Sequence, residues 1–444
     1  MRVVIVGAGE VGFNTARLLS REGHRVVVVD SDEAHVERVG QRLDALVMHG
    51  NGASPRVLRQ AGIENSDLLV ATSAADEANI VACLVAKAQG VQRTVARLHD
   101  PDYNNSGEPF AQESLGIDLV IRTEQMAAEE IRDALLVPGA VNVETFAGAS
   151  IEVAEVVLKE GSPAIGLAVR DVRLPERSLI VGVVRGGEAL VPKGDTVLRE
   201  RDHVFLIGEQ EDISEIVGAV VEDASPVRDV MILGGEGIGL PLALSLEEVG
   251  ISVKVVEKDA ARARYVASQL NKALVLHDEG VSREFLLQER VDRADAFVAV
   301  TGDDRTNLLA AMNARQLGAG LTVAGVSRAE FAPLSEALGV DITVSPRLLA
   351  AGAILRFVRR GEVAALTLLE SGAQVMELRV PKGCRVVGRP LARVDFPEGA
   401  IVGAVSRNGE VIVPRGRDVL EAGDDAVVFA VEDAVDEVGE LFAS

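Results

Sequence analysis

The chain is a duplication along nearly its whole length. It opens with a strand, a glycine loop and a helix, MRVVIVGAGEVGFNTARLL, and returns to them as VMILGGEGIGLPLALSL; Gly7, Gly12 and Asp30 recur as Gly234, Gly239 and Glu257, each 227 positions on. HGNGASPRVLRQAGI (49–63) matches HDEGVSREFLLQERV (277–291) at a shift of 228, and Ser73, Asp76 and Asn79 meet Thr301, Asp304 and Asn307. LPERSLIVGVVRGGEALVPKGDTVL (174–198) matches FPEGAIVGAVSRNGEVIVPRGRDVL (396–420) at a shift of 222. Whatever one half folds into, the other must fold into as well. At 444 residues the chain is also too long for a single core.

Each half changes texture part-way. Residues 1 to about 137 alternate apolar runs of strand length (VVIV, RVVVV, ALVM, LLVA, TVAR, LVIR) with helical stretches, the pattern of a doubly wound parallel sheet. Six strands predict one Rossmann-like domain. Pro138 and Gly139 break the pattern, and IEVAEVVL, LIVGVV and HVFLIG then read as short strands with Gly and Pro turns before a closing helix, a small α+β unit. The polar stretch EDASPVRDV (222–230) is the predicted hinge between halves. The expected domains are 1–137 and 227–360, Rossmann-like, each followed by a small α+β domain, 140–222 and 364–444.

The first loop, GAGEVG, fits G-x-G-x-x-G: Gly7 for the tight turn, Gly9 for close approach to a pyrophosphate, Gly12 for packing helix on strand. It follows the strand RVVIV, precedes the helix NTARLL, and Asp30 arrives at the end of the next strand. A carboxylate there accepts both ribose hydroxyls and repels a 2′-phosphate. Unit charges about 4 Å apart at an effective dielectric near 20 repel by about 4 kcal/mol, which outweighs most single hydrogen bonds. NAD or an adenosine nucleotide is therefore expected over NADP, while Asp32 reads as the cap of the helix that follows.

The second loop keeps Gly234, Gly239 and the acidic Glu257, but Glu236 takes the place of Gly9. Either its carboxylate crowds and repels a pyrophosphate, leaving the second site weaker, altered or empty, or it turns to solvent while Gly235 or Gly237 supplies the flexibility. Lys258, Arg262 and Arg264 stand close enough in sequence to offset it.

A formal net charge of −23 argues against nucleic acid or bare anionic lipid as a partner. Cys83 and Cys384, far apart and without neighbouring His or Cys, read as buried small hydrophobes in a reducing compartment. Glu10 and the glycines interrupt the apolar start before a signal peptide forms, and no stretch offers the roughly 18 apolar residues of a membrane span. The expectation is a cytoplasmic protein whose membrane role comes through a partner. No catalytic group is predicted: none of the six histidines has a carboxylate or metal-ligand partner at a telling spacing, and Tyr103 and Tyr265 lack a Lys four residues later. No metal site is predicted either, Asp202 and Asp395 reading as turn residues. The alternative is an NAD-dependent oxidoreductase with an unrecognised substrate site.

Taken together, GAGEVG with Asp30, the HGNG segment, SAADEAN followed by IVACLVAK, and the runs VVRGGEALVPKGDTVL and VSRNGEVIVPRGRDVL make the chain resemble, over about its whole length, the peripheral Trk-type potassium uptake proteins. That family is built from two tandem RCK units (regulator of potassium conductance), each a Rossmann-like lobe with a small C-lobe. The resemblance implies a first nucleotide site lined by Gly7, Ala8, Gly9, Glu10, Val11, Gly12, Asp30, Ser73, Ala74 and Arg97, with Gly50 and Asn51 near the adenine. Ser73 follows the fourth strand and Arg97 ends the fifth, at the sheet edge where doubly wound folds bind ligands. Arg97 reaches phosphate, stacks on a base, or makes an ordinary ion pair; His49 is a contact or a strand-end residue. ATP-sensing relatives often place an Arg where Glu10 stands, so NAD(H) is implied, with ADP or ATP as competitors. Gly325 stands where Arg97 does, which weakens the second site further. The implied assembly is a homo-oligomer, dimer or tetramer forming a ring, that gates an integral membrane potassium-transport subunit. The helices EQMAAEEIRDALLVPG and RLLAAGAILRFVRRG either cross to a neighbouring lobe, as in the family, or pack on their own.

Overall fold

The computed structural model describes residues 1–100, 103, 114–222, 225–328, 331–358, 363–369 and 371–443. Residues 223 and 224 of the predicted hinge, and the predicted domain ends 360 and 444, lie outside the described residues.

The first lobe runs β1 (Arg2–Val6), α1 (Glu10–Arg21), β2 (Arg25–Asp30), α2 (Glu33–Arg42), β3 (Leu46–His49), α3 (Pro55–Gln60), β4 (Leu68–Ala71), α4 (Asp76–Ala88), β5 (Arg93–Arg97), β6 (Leu119–Ile121) and α5 (Thr123–Leu136). The six strands form a parallel sheet in the order β3-β2-β1-β4-β5-β6. Val3, Val4 and Ile5 of β1 are fully buried. That accounts for its unbroken apolar run, since helices cover both faces of a parallel sheet. The strand order reverses between β1 and β4, and their ends are level, Val6 opposite both Val29 and Ala71. The carboxyl edge there is the ligand crevice of such sheets.

A small antiparallel lobe follows: β7 (Asn142–Phe146), β8 (Ile151–Val157), β9 (Leu179–Arg185), β10 (Glu188–Leu190), β11 (His203–Glu209) and α6 (Ile213–Gly218), in the order β10-β9-β11-β8-β7. The second half repeats the large lobe as β12 (Asp229–Leu233), α7 (Gly239–Glu248), β13 (Ser252–Glu257), α8 (Ala260–Gln269), β14 (Leu274–His277), α9 (Arg283–Gln288), β15 (Ala296–Ala299), α10 (Asp304–Gln316), β16 (Leu321–Gly325), α11 (Ala332–Ala337), β17 (Ile342–Val344) and α12 (Pro346–Val358). Its sheet, β14-β13-β12-β15-β16-β17, has the same order as the first. The chain ends with β18 (Val363–Leu368), β19 (Gln374–Arg379), β20 (Ala400–Arg407), β21 (Glu410–Ile412), β22 (Asp425–Ala430) and α13 (Val435–Phe442), ordered β18-β19-β22-β20-β21.

By contacts the chain forms two compact units: Met1–Ala127 with Ser345–Val358, and Ala128–Val344 with Arg359–Ser444. Inside the first, α12 packs on α1 and β6, and Arg93 Nη1 donates to the Val358 carbonyl at 3.0 Å. Of the two placements open to this helix, the crossing one is realised. Ala350, Ala351, Gly352 and Ala353 are buried, the small side chains that permit close helix packing. Inside the second unit the two small sheets share one core, with Phe205 of β11 and Phe429 of β22 5.6 Å apart between ring centres. No described helix is long and apolar enough to cross a membrane.

Candidate nucleotide site

Gly7 follows β1 with φ +96°, a conformation only glycine adopts without strain, and its N–H donates to the Val29 carbonyl at 2.8 Å. A Cβ on Gly12 would lie 1.9 Å from the Gly7 carbonyl oxygen, so the helix can approach the strand only through glycine. A Cβ on Gly9 would meet no atom within 4 Å. Gly9 is the N-cap, and α1 begins at Glu10, earlier than the predicted NTARLL. Phe13 makes the first intrahelical bond, to the Gly9 carbonyl at 2.9 Å, so the amides of Glu10, Val11 and Gly12 have no acceptor within the helix. Such amides, with the helix dipole behind them, favour a phosphate. Open space over Gly9 and orphan donors beside it are what a pyrophosphate requires.

Asp30 does more than the sequence foretold. Its Oδ2 accepts the Ala8 N–H at 2.5 Å and its Oδ1 accepts the Asp32 N–H at 2.8 Å. Glu257 repeats this with Gly235 at 2.8 Å and Asp259 at 2.9 Å. The acid thus clamps the glycine loop, and each carboxylate oxygen keeps a lone pair beyond these bonds. His35 Nδ1 stands 3.4 Å from Asp30 Oδ2. Asp32 caps α2 by accepting the Ala34 N–H at 2.8 Å, the structural role predicted for it.

Gly50 donates its N–H to the Asp30 carbonyl at 2.8 Å, which brings HGNG to the tip of β2. Asn51 Oδ1 accepts the Ala53 N–H at 2.9 Å and shapes the turn into α3. His49 Nε2 lies 3.0 Å from the Ser31 carbonyl, as His277 Nε2 lies 3.0 Å from the Lys258 carbonyl; both are strand-end residues tied to backbone.

At the ends of β4 and β5, Asn79 is fully buried. Its Oδ1 accepts from the Ser73 N–H (2.9 Å) and hydroxyl (2.7 Å), and its Nδ2 donates to the Ser73 and Arg97 carbonyls. Asn307, Thr301 and Gly325 repeat the arrangement. Ser73 is therefore held in place and Ala74 is exposed beside it. Arg97 donates to Thr123 Oγ1 and Glu124 Oε1, both at 3.2 Å; of the three roles open to it, this geometry is the ion pair.

A His–carboxylate pair was missed in the sequence. His99 Nδ1 is 2.8 Å from Asp76 Oδ1, and the other Asp76 oxygen accepts the His99 and Asp100 amides at 2.9 Å. Burial works to raise the Asp76 pKa, but these hydrogen bonds and the imidazole hold it below the ordinary carboxylate range. In the second copy Asp304 accepts the Ser327 and Arg328 amides at 2.9 Å with no histidine present. The shared task of this acid is to anchor a loop. No group of three or more His, Cys, Asp or Glu able to hold a metal exists among the described residues.

The second loop departs in its backbone. Register pairs Glu10 with Gly237, yet α7 starts only at Gly239, because Gly237 at φ +59° interrupts the helical path. The Gly239 amide is already spent on the Glu236 carbonyl at 3.1 Å. Glu236 itself is 68% exposed and pairs with Arg262 at 2.9 Å. Of its two predicted postures the solvent-facing one is observed, so the altered helix start, not a carboxylate in the pocket, separates the copies.

Arg38 also escaped the sequence reading. From α2 its Nη1 donates to Glu10 Oε1 and its Nη2 to the Ala8 carbonyl, both at 2.7 Å, with the guanidinium 4.7 Å over the Phe13 ring. Nothing in the spacing of Arg38 from Glu10 or Asp30 marked it in the sequence.

The TrkA-N domain family matches residues 3–123 and 230–346, and the TrkA-C domain family matches 153–218 and 375–443. The Trk system potassium uptake protein TrkA homolog of Archaeoglobus fulgidus is 34% identical over 444 residues, all of both chains. The chain belongs to the TrkA family. TrkA of Halomonas elongata is 33% identical, across 97% of this chain and 96% of its own. The TrkA fold here is also similar to the crystal structure of the GsuK RCK domain, with a TM-score of 0.64, 18% identity, and coverage of 99% of this chain and 94% of that one. The GsuK channel bound to NAD gives 0.63 at 18% identity, over 99% and 78%.

Proposed function

We propose that this chain is a cytoplasmic, nucleotide-binding regulatory subunit that gates a membrane potassium-uptake transporter or channel. Its lobes are bounded at 1–137, 140–222, 227–360 and 364–444. The observation that carries the reading is the first glycine loop: orphan amides at Glu10, Val11 and Gly12, open space over Gly9, and Asp30 at the tip of β2. NAD(H) is the ligand, with ADP or ATP competing. Gly7, Ala8, Gly9, Glu10, Val11 and Gly12 hold its phosphates, and Asp30 its ribose. Ser73, Ala74 and Arg97 line the sheet-edge side, and Gly50 and Asn51 the adenine side. Gly234, Gly239 and Glu257 form the weaker second site.

Full-length relatives named for potassium uptake support the transport role, and a protein of the same fold, GsuK, is known bound to NAD and to ADP. The chain catalyses nothing in this reading; ligand binding shifts an equilibrium between arrangements of a homo-oligomeric ring, dimer or tetramer, held at the inner membrane face by its transport partner. A coupling of about 1–3 kcal/mol suffices for useful regulation.

Equilibrium binding of NADH, NAD, ADP and ATP to wild type, Asp30→Ala and Glu257→Ala tests it. Binding abolished by the first change and little altered by the second is expected. Absence of nucleotide binding by the wild type, or turnover of NADH with a small keto or hydroxy acid, would overturn it.

A further inference from the structure

We propose that Arg38 is a positioning residue that sets how much negative charge the first nucleotide site accepts, by holding and neutralising the Glu10 carboxylate at the mouth of the glycine loop. The inference rests on the reading of this loop as a nucleotide site and adds the residue that tunes its preference among nucleotides.

Glu10 is the first residue of α1, so its carboxylate stands beside the amides that would take a phosphate. Alone, it would oppose any anion there, and most strongly the most charged one. Arg38 removes that opposition. It crosses from α2 to bind Glu10 Oε1 and, through its other terminal nitrogen, the Ala8 carbonyl inside the loop. These two bonds and the Phe13 ring, 4.7 Å from the guanidinium, hold the cation in place. A guanidinium bonded through both terminal nitrogens and stacked on an aromatic face keeps its position better than a swaying surface charge.

The second copy carries neither member of the pair. Gly237 stands at the Glu10 position and Tyr265 at the Arg38 position, 227 residues on in each case. There the loop glutamate is Glu236, exposed and tied to Arg262 of α8 instead. The Glu10–Arg38 bridge is thus a property of the loop with the orphan amides, and the copy whose helix starts late lacks it.

Charge decides the expected pattern. Negative charge rises from NAD through NADH and ADP to ATP, so uncovering Glu10 must penalise ATP most and NAD least. The test is equilibrium binding of these nucleotides to the full chain as wild type, Arg38→Met, Glu10→Gln and the double variant, with thermal midpoints in parallel. Methionine keeps an apolar stem on Phe13 while removing the charge. Arg38→Met is expected to weaken ATP about tenfold or more and NAD by less than about threefold, the pair being partly exposed. Glu10→Gln in the Arg38→Met background should return ATP binding toward the wild-type value. Should Arg38→Met fail to fold, Glu10→Gln alone must still favour ATP over NAD relative to wild type. Equal losses for every nucleotide, or no recovery in the double variant, overturn the proposal while leaving the site intact; a wild type that binds none of them overturns the site as well.

Discussion

The Asp30 carboxylate accepts the Ala8 amide at 2.5 Å, which ties the tip of β2 to the glycine loop before any ligand is considered. Its second oxygen does the same for the Asp32 amide. Asp30→Ala should therefore cost stability as well as affinity, about 1–3 kcal/mol for amides left without an acceptor. Asp30→Asn keeps one carbonyl oxygen and should lose less stability while still losing ligand. Urea unfolding of both variants checks this, and equal stability of wild type and Asp30→Ala would show that solvent satisfies these amides.

Gly9 and Gly12 separate binding from folding. An added Cβ at Gly9 meets open space, whereas at Gly12 it lies 1.9 Å from the Gly7 carbonyl oxygen and 2.9 Å from Thr72 Oγ1. Gly9→Ala should leave the unfolding free energy within about 1 kcal/mol of wild type yet weaken nucleotide binding strongly. Gly12→Ala forces strand and helix apart and should cost at least about 3 kcal/mol. Denaturation and ligand titration on the same samples read the two effects, and a stable Gly12→Ala would contradict the close approach.

Much of this was legible in sequence because it is periodic or local. The unbroken apolar runs forecast a buried parallel sheet, and the spacing of Gly7, Gly12 and Asp30 forecast the loop at its edge. What escaped depends on partners distant in sequence. Arg38 meets Glu10 across 28 positions and His99 meets Asp76 across 23, and with 45 Lys and Arg, six His and 68 acidic residues no spacing rule selects either pair. The lobe on which α12 packs was equally hidden, since an apolar helix face is the same whichever surface it covers. The late start of α7 turns on the φ of Gly237, where the sequence drew the eye to its charged neighbour Glu236.

Glu130 of α5 predicts an inverted pH dependence. Its Oε2 is buried without a hydrogen-bond partner, and burial, followed by Glu144, Glu155 and Asp133, pushes its pKa well above the ordinary value of 4.5. The folded state therefore holds a proton that the unfolded chain releases. Its contribution to stability is present below 4.5 and is lost as pH climbs from there through the folded value. Glu130→Gln should flatten that decline and stabilise the protein at neutral pH. Thermal midpoints of both proteins across the acid-to-neutral range measure it, and parallel curves would remove Glu130 as the source.

The core shared by the two small sheets depends on a glycine facing a ring. A Cβ on Gly182 of β9 would stand 2.4 Å from the Phe429 ring, and Phe429 is itself buried against Phe205. Phe429→Ala should cost about 3–5 kcal/mol through the cavity it leaves. Gly182→Ala should cost about 1–3 kcal/mol by overpacking, because a ring edge in a full core has nowhere to retreat. If the contact is the cause, the two changes must couple. In Phe429→Leu the smaller side chain makes room for the methyl, so Gly182→Ala should cost less there than in the wild type. A double-mutant cycle by chemical denaturation reads this coupling, and strictly additive losses would show that Gly182 is required for another reason.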